Sequence, residues 1–296
     1  MKLTHYITLV FSLLLLSCMG NQSKSKEDQE CLLQIVDIYG QELNLSQYPQ
    51  TIVSLSPGIT ELIYELNSGY KLIGRTDYCK HPFDSIKHIE SVGGINNASI
   101  EKIISLNPDL VITSSIFTKS MSESIQGAGI PILSLPEKPQ IEGLYETLTT
   151  LGEILDQRAE AEEIISDFKD RLSQLKTSQP TYKQPPKVYY VIQFGAGGDY
   201  TAGENTYIDE IITLSGGENI AKSTTNWSFS KEELFANQPD YIFLRHEDSA
   251  QFVTTHPYNN LHAVKNSQVY GIESSWVDIQ SSRTLKAIEF ISGVIN

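Results

Sequence analysis

The chain has 296 residues, 40% of them hydrophobic, enough for two domains that each bury a core. Its formal charge of −14 would be repelled by nucleic acid and by an anionic membrane surface, so neither is an expected partner. No run of like charge is long enough to form an acidic tail.

The first 30 residues read as an address rather than as fold. Lys2 precedes an apolar run from Ile7 to Leu16, too short to cross a bilayer as a mature helix. The run ends in Leu15-Leu16-Ser17-Cys18, which resembles a bacterial lipobox, although Leu16 is larger than the usual residue there. That resemblance implies a lipoprotein signal peptide over residues 1–18, with Cys18 acylated. An ordinary cleaved signal peptide is the alternative. Residues 19–30 are polar and without period, as suits a flexible tether. Cys31 and Cys79 can pair or stay free.

From Leu33 to Ile38 the pattern predicts a strand that turns at Tyr39-Gly40 into a second, Glu42 to Leu45. Thr51 to Ser56 reads as a buried strand entering the helix Ile59 to Leu66. Further strands are expected at Lys71 to Arg75, Asp109 to Thr113 and Ile130 to Leu135, with helical patterns between them. A mostly parallel sheet follows. Residues 31–136 are the expected first lobe.

Residues 157–177 predict one long amphipathic helix. Ala161, Ile164, Ile165, Phe168, Leu172 and Leu175 recur at three- and four-residue spacing, with charge on the other face. Asp156 is placed to cap its start, and Lys176 with Pro180, Pro185 and Pro186 to end it. Such a helix spans roughly 30 Å. A coiled coil is the alternative, but the stripe is too short for one. Residues 137–180 therefore read as a stiff connector, and residues 181–296 as a second lobe. There, strands are expected at Lys187 to Phe194, Asp240 to Leu244 and Gln268 to Ile272, and helices at Tyr207 to Leu214 and Thr284 to Val294.

The two halves echo one another. Ser99 to Ile112 and Ser230 to Phe243 both run serine, short helix, proline-aspartate, strand. Glu101 and Glu232 each stand two residues after the serine, in the first helical turn and off the apolar stripe. An acid there is favoured by the helix dipole alone, and Glu233 suits a capping box better than Glu232. The alternative is that each lobe offers one exposed carboxylate to a two-sided partner.

Enzymatic and metal motifs are missing: no His-Glu-x-x-His, Cys-x-x-Cys, Gly-x-x-x-x-Gly-Lys or Gly-x-Ser-x-Gly. The histidines have no zinc-site spacing, so no resident metal or intrinsic cofactor is expected. His81, His246 and His256 are candidate ligands to a metal carried by a bound molecule, with polar loop histidine as the default. Trp227 and Trp276 fall in polar loops, where function outweighs core packing. Arg75, Arg245 and Arg283 stand out in an acidic chain as candidate anion contacts, against surface ion pairs as the default.

Ile52 to Leu62, Leu72 to Tyr78 with His81-Pro82, Val92-Gly93-Gly94, Gln193 to Gly195, Gly216 to Ile220 and Ser230 to Pro239 together resemble a family. It is the group of ABC-importer substrate-binding proteins that carry vitamin B12, haem and ferric siderophores. The resemblance spans residues 31–296. It implies an α/β fold: two α/β lobes joined by one long rigid helix, with a ligand cleft between them. It implies that Glu101 and Glu232 dock the importer's membrane subunits, and that Tyr78, Phe194, Trp227, Trp276 and Arg283 line the ligand site. Ile95 departs from a tryptophan of the B12 carriers. The implied cargo is a cobalamin, with haem or a ferric siderophore as alternatives. The expected state is a monomer on a lipid anchor at the periplasmic or cell-surface side. A hydrolase with a cleft carboxylate, or a storage lipoprotein without an importer, are readings of other classes.

Overall fold

The structure, a computed structural model, describes residues 31–115 and 117–296. A hairpin of β1 (Leu33–Val36) and β2 (Glu42–Leu45) comes first, pairing Leu33 with Leu45. The Asp37 carboxylate closes its turn by accepting from the amides of Tyr39 and Gln41, both at 2.8 Å.

The first lobe continues as β3 (Ile52–Ser54), α1 (Pro57–Glu65), β4 (Leu72–Arg75), α2 (Phe83–Ile86), β5 (Glu90–Ser91), α3 (Ile100–Leu106), β6 (Leu110–Ser114), α4 (Lys119–Gly127) and β7 (Ile132–Leu135). The strands form one parallel sheet in the order β5-β4-β3-β6-β7. Helices cover both faces, so β3, β6 and β7 are buried at every position. Alternate residues serve opposite cores: Ile52, Leu110 and Ile112 face one cluster, Val53 and Val111 the other.

Two helices follow, α5 (Ile141–Leu155) and α6 (Arg158–Ser178). The stripe of α6 lies inward, with Ala161, Phe168 and Leu172 buried and Ile164, Ile165 and Leu175 packed beside them. Asp156 does not cap α6. It ends α5 in the left-handed conformation, φ 59°, and Gln157 takes the N-cap position without a side-chain hydrogen bond. Residues 141–155 are themselves helical, so the chain needs a residue that tolerates left-handed backbone to reverse, and Asp is one of few that do. Gly152 lets the two helices approach, since a Cβ there would come within 2.7 Å of the Ala161 Cβ.

The Asp156 end of this rod lies beside Tyr48 and Lys71 of the first lobe. Its far end reaches the second, where the Gln179 amide donates to the Leu214 carbonyl at 2.8 Å and Arg171 donates to Glu289 at 3.0 Å. Both ends are thus tied down, one to each lobe.

The second lobe runs β8 (Lys187–Val191), α7 (Tyr207–Leu214), β9 (Glu218–Asn219), α8 (Lys231–Asn237), β10 (Tyr241–Arg245), α9 (Ser249–Thr254), α10 (His262–Lys265), β11 (Val269–Ile272) and α11 (Thr284–Ile295). Its sheet is again parallel, ordered β11-β10-β8-β9. The two-residue edge strands β5 and β9 were invisible to periodicity, being shorter than one repeat of any pattern.

The sequence echo has a structural cause. The Asp109 carboxylate accepts from the amides of Gln50 and Thr51 at 2.8 and 2.9 Å, pinning the entry to β3. Asp240 does the same for β8, accepting from the Lys187 amide at 2.8 Å. The residue before each Pro-Asp pair, Asn107 and Gln238, is left-handed and closes its helix.

Candidate functional site

In a parallel sheet every strand ends at the same edge, so the loops beyond those ends converge. The two edges face each other here. Leu55-Ser56 beyond β3, Ser114 at the end of β6 and Leu135-Pro136 closing β7 form one wall. Ile192 beyond β8, Arg245 ending β10 and Glu273 beyond β11 form the other. Between them lies a cavity of about 1240 Å³.

Tyr78, Trp227 and Trp276 all line it. Tyr78 is 58% and Trp227 48% exposed, unusual for large rings unless they await a partner. Trp227 also has a left-handed backbone, φ 65°, a conformation that costs a bulky residue roughly 1–2 kcal/mol. It is held there because its carbonyl accepts from the Thr201 amide at 2.9 Å and Ser228 bridges to Tyr200. Strain maintained on an exposed cleft tryptophan points to a role beyond packing. Ile95 lines the cavity as well.

Phe194 does not. Its ring packs edge-on against Phe252 and Tyr258, with centroids at 5.0 and 5.5 Å, in the outer core of the second lobe. β8 ends at Val191, before the chain reaches Phe194, so strand geometry no longer aims that side chain at the cleft. Phe194 thus sits outside the cavity lining, packed half-buried in the second lobe. Arg75 also lies outside the lining and donates to the Thr76 carbonyl at 3.0 Å.

Arg283 reaches the cleft but is not free. Its Nε donates to Glu61 at 2.9 Å, a terminal nitrogen donates to the other oxygen of the same carboxylate, and Nη1 donates to Ser275 at 3.0 Å. The side chains are 12% and 3% exposed. Glu61 belongs to α1 of the first lobe and Arg283 to the second, so this bidentate pair ties the lobes at the cleft floor. Gly58, one turn earlier on α1, permits the contact: a Cβ there would sit 2.7 Å from the Gln280 carbonyl oxygen. Arg245 is likewise taken, by Asp278 at 3.0 Å.

Sequence reading missed Glu61 and Glu65. The available signal was two carboxylates four residues apart inside the otherwise apolar helix at Ile59 to Leu66, a spacing that places both on one face. Glu65 has a buried carboxylate oxygen without a hydrogen-bond partner. Burial pushes its carboxyl up, with Glu61 adding, against the opposing pull of Ser282, Arg283 and Lys286. A folded-state value above the unfolded one gives stability that is fully present below the unfolded pKa and lost as pH rises through the folded one. Glu65→Gln is therefore expected to be more stable than the parent at pH 7.5 and to lose that advantage near pH 4. Denaturation midpoints at the two pH values measure this, and a larger advantage in acid would contradict it.

His81 lines the cavity, and burial, with Arg283 and Lys286, pushes its imidazole down against the pull of Glu61. A neutral ring nitrogen suits coordination of a metal carried by a ligand. His246 and His256 are exposed and outside the lining. Among the described residues, no group of three or more His, Cys, Asp or Glu side chains is placed to hold a metal ion itself. Among the described residues Cys31 and Cys79 are not disulfide-bonded to each other; Cys31 is exposed and Cys79 is buried against the hydroxyls of Thr60 and Thr76. Cys18 lies outside the described residues.

Glu101 and Glu232 are exposed in the first turns of α3 and α8. Ser99 caps α3 by accepting from the Lys102 amide at 3.2 Å, and Ser230 forms a full capping box with Glu233. Among the ion pairs of the described residues, neither Glu101 nor Glu232 takes part, whereas their neighbours Lys102 and Lys231 are held by Glu90 and Asp199. Each helix runs back against its parallel sheet, so its N-terminus lies at the cleft-facing edge of its lobe.

Residues 52–275 match a family described as periplasmic binding protein. The chain is 26% identical over 296 residues to an uncharacterized ABC transporter substrate-binding lipoprotein, YvrC, of Bacillus subtilis, covering 96% of this chain and 94% of that one. It is 30% identical over 256 residues to a vitamin B12-binding protein of Vibrio cholerae, covering 81% and 87%. In fold it resembles the periplasmic haem-binding protein HutB of Vibrio cholerae, with a TM-score of 0.75, 21% identity and coverage of 83% and 98%.

Proposed function

The chain belongs to the periplasmic binding protein family, and we propose on that premise that it captures a corrinoid outside the cytoplasm and delivers it to an ABC importer. It is a substrate-binding protein of the ABC-transporter kind, among relatives named for vitamin B12 and structural neighbours named for haem or iron. Its place is extracytoplasmic, as for the family.

The observation that carries the corrinoid reading is the cavity with its three exposed or half-exposed rings. About 1240 Å³ exceeds the roughly 300–1,000 Å³ of ordinary small-molecule sites and calls for bulky cargo. Tyr78, Trp227 and Trp276 offer flat faces, which bury the area of a broad macrocycle at little rotamer cost. His81 is the nearest candidate to meet its metal. Haem or a ferric siderophore shares this geometry and is the second reading. A hydrolase finds no support in the family, which is one of binding proteins. Acylation of Cys18 would hold the monomer at the membrane, and the lipoprotein relative supports that anchor.

The test is direct. Purified protein is mixed separately with cyanocobalamin, haemin and several ferric siderophores, desalted, and assayed for retained colour and tryptophan quenching. Stoichiometric retention of cyanocobalamin is expected, and Trp227→Ala should weaken it by about tenfold through loss of one stacking face. Retention of none of these compounds would overturn the reading, and retention of haemin alone would transfer it to the second.

A further inference from the structure

We propose that the cleft sorts its cargo by the chemistry of the cargo's rim, accepting a broad ring edged with uncharged amide donors and rejecting one edged with carboxylates, through Glu247 and Glu273. This rests on the cleft being the cargo site.

Both arginines of the cleft lining are paired with carboxylates. Arg283 is held on two edges by Glu61, and Arg245 is held by Asp278. At the ends of β10 and β11, the lining side chains that stand outside the ion pairs of the described residues are acidic. Glu247 sits in the short turn His246–Asp248 that follows β10, and Glu273 directly follows β11. β10 and β11 are neighbours, with Arg245 opposite Ile272, so the two carboxylates leave adjacent strand ends. Trp276 stands three residues beyond Glu273 on the same wall. The Ser275 hydroxyl donates to Glu273 at 2.9 Å and fixes its orientation. Two lysines also line the cavity outside the ion pairs of the described residues, Lys80 on the first-lobe wall and Lys286 at the start of α11, near Glu65 and away from the ends of β10 and β11.

A ring stacked on Trp276 would therefore present its edge to Glu247 and Glu273. Ionised carboxylates only accept hydrogen bonds, so the groups they reward are N–H donors. A corrin is rimmed by primary amides, which donate without charge. The propionates of haem would bring like charge against like, and so would a catecholate iron complex. The second-lobe wall thus separates the candidate cargoes that cavity size alone leaves together.

The test uses the purified exported protein at low ionic strength and pH 7.5. Its probes are cyanocobalamin, derivatives in which one rim amide has been hydrolysed to a carboxylic acid, and haemin. The parent protein is compared with Glu247→Gln/Glu273→Gln, both positions being exposed and outside the core. In the parent, the worst-placed amide-to-acid change should weaken binding by about tenfold or more. In the double variant that gap should close to within about threefold, by gain of affinity for the acid, because amide side chains carry no charge to oppose it. Equal binding of amide and acid by the parent, or a gap unchanged in the variant, would overturn this inference and leave the corrinoid reading standing. Haemin bound more tightly than cyanocobalamin would overturn it too. If no probe binds, the reading of the cleft fails, and the inference with it.

Discussion

Glu61→Ala should cost about 3–5 kcal/mol of stability, because it strands the Arg283 guanidinium in a site with little access to water. For a chain of this size that corresponds to a fall in melting temperature on the order of 10 °C. The loss is not the worth of the pair itself. Replacing both partners, as in Glu61→Leu with Arg283→Met, should recover most of the stability, since no buried charge is then left alone. Thermal and denaturant unfolding of Glu61→Leu, Arg283→Met and the double variant combining them measure this as a cycle. Independent additive losses in the double variant would show that the pair does not act as a unit. A loss below about 1 kcal/mol in Glu61→Ala would show that water reaches the guanidinium after all.

The pair also bears on motion. It joins α1 to the segment before α11, while α6 joins the lobes along the outside, so the cleft floor is tied at two separated places. Rigid-body opening must break the floor contact or bend the rod. This supports a carrier whose lobes move little, with the ligand entering from the open side.

Transport should fail in Glu101→Ala/Glu232→Ala while cargo affinity stays within about twofold of the parent, as for surface substitutions away from the cleft. Both carboxylates are exposed, outside the cavity lining and outside the ion pairs of the described residues, so each can meet a cation of another chain. Removing two charge-assisted hydrogen bonds from an interface weakens docking by about a hundredfold or more. Uptake of labelled cargo by cells carrying the double variant, beside equilibrium binding by the purified protein, separates the effects. Normal uptake would remove the docking role and favour a storage lipoprotein, and loss of cargo affinity would mean the helices shape the cleft instead. Charge reversal of one glutamate, repaired by reversal of a cation on the importer, would identify the contact.

Much of this could be read from the chain because it is encoded locally. The buried strands at Ile52, Leu110 and Ile132 announce themselves as short apolar runs, and the stripe of α6 as a period near 3.6. Ser99 and Ser230 name their helices because a cap bonds within three residues. Trp227 and Trp276 stand out as aromatics in polar loops and Tyr78 through the family resemblance, and all three line the cavity. Phe194 is named through the resemblance, at the end of an expected strand, and packs half-buried against Phe252 and Tyr258, which are distant in sequence from it.

The amino-acid order thus determined the elements, their alternation and the doubled plan of two lobes about a rod, since each depends on neighbours within a few positions. Only the folded chain decided which charges are spent and which are free. Arg283 finds Glu61 across 222 positions, and no local pattern records a partner chosen by the meeting of two lobes. Asp156 shows the same limit at short range: its side chain suits a cap, but the helix already ending beside it required a left-handed residue, and the backbone demand won.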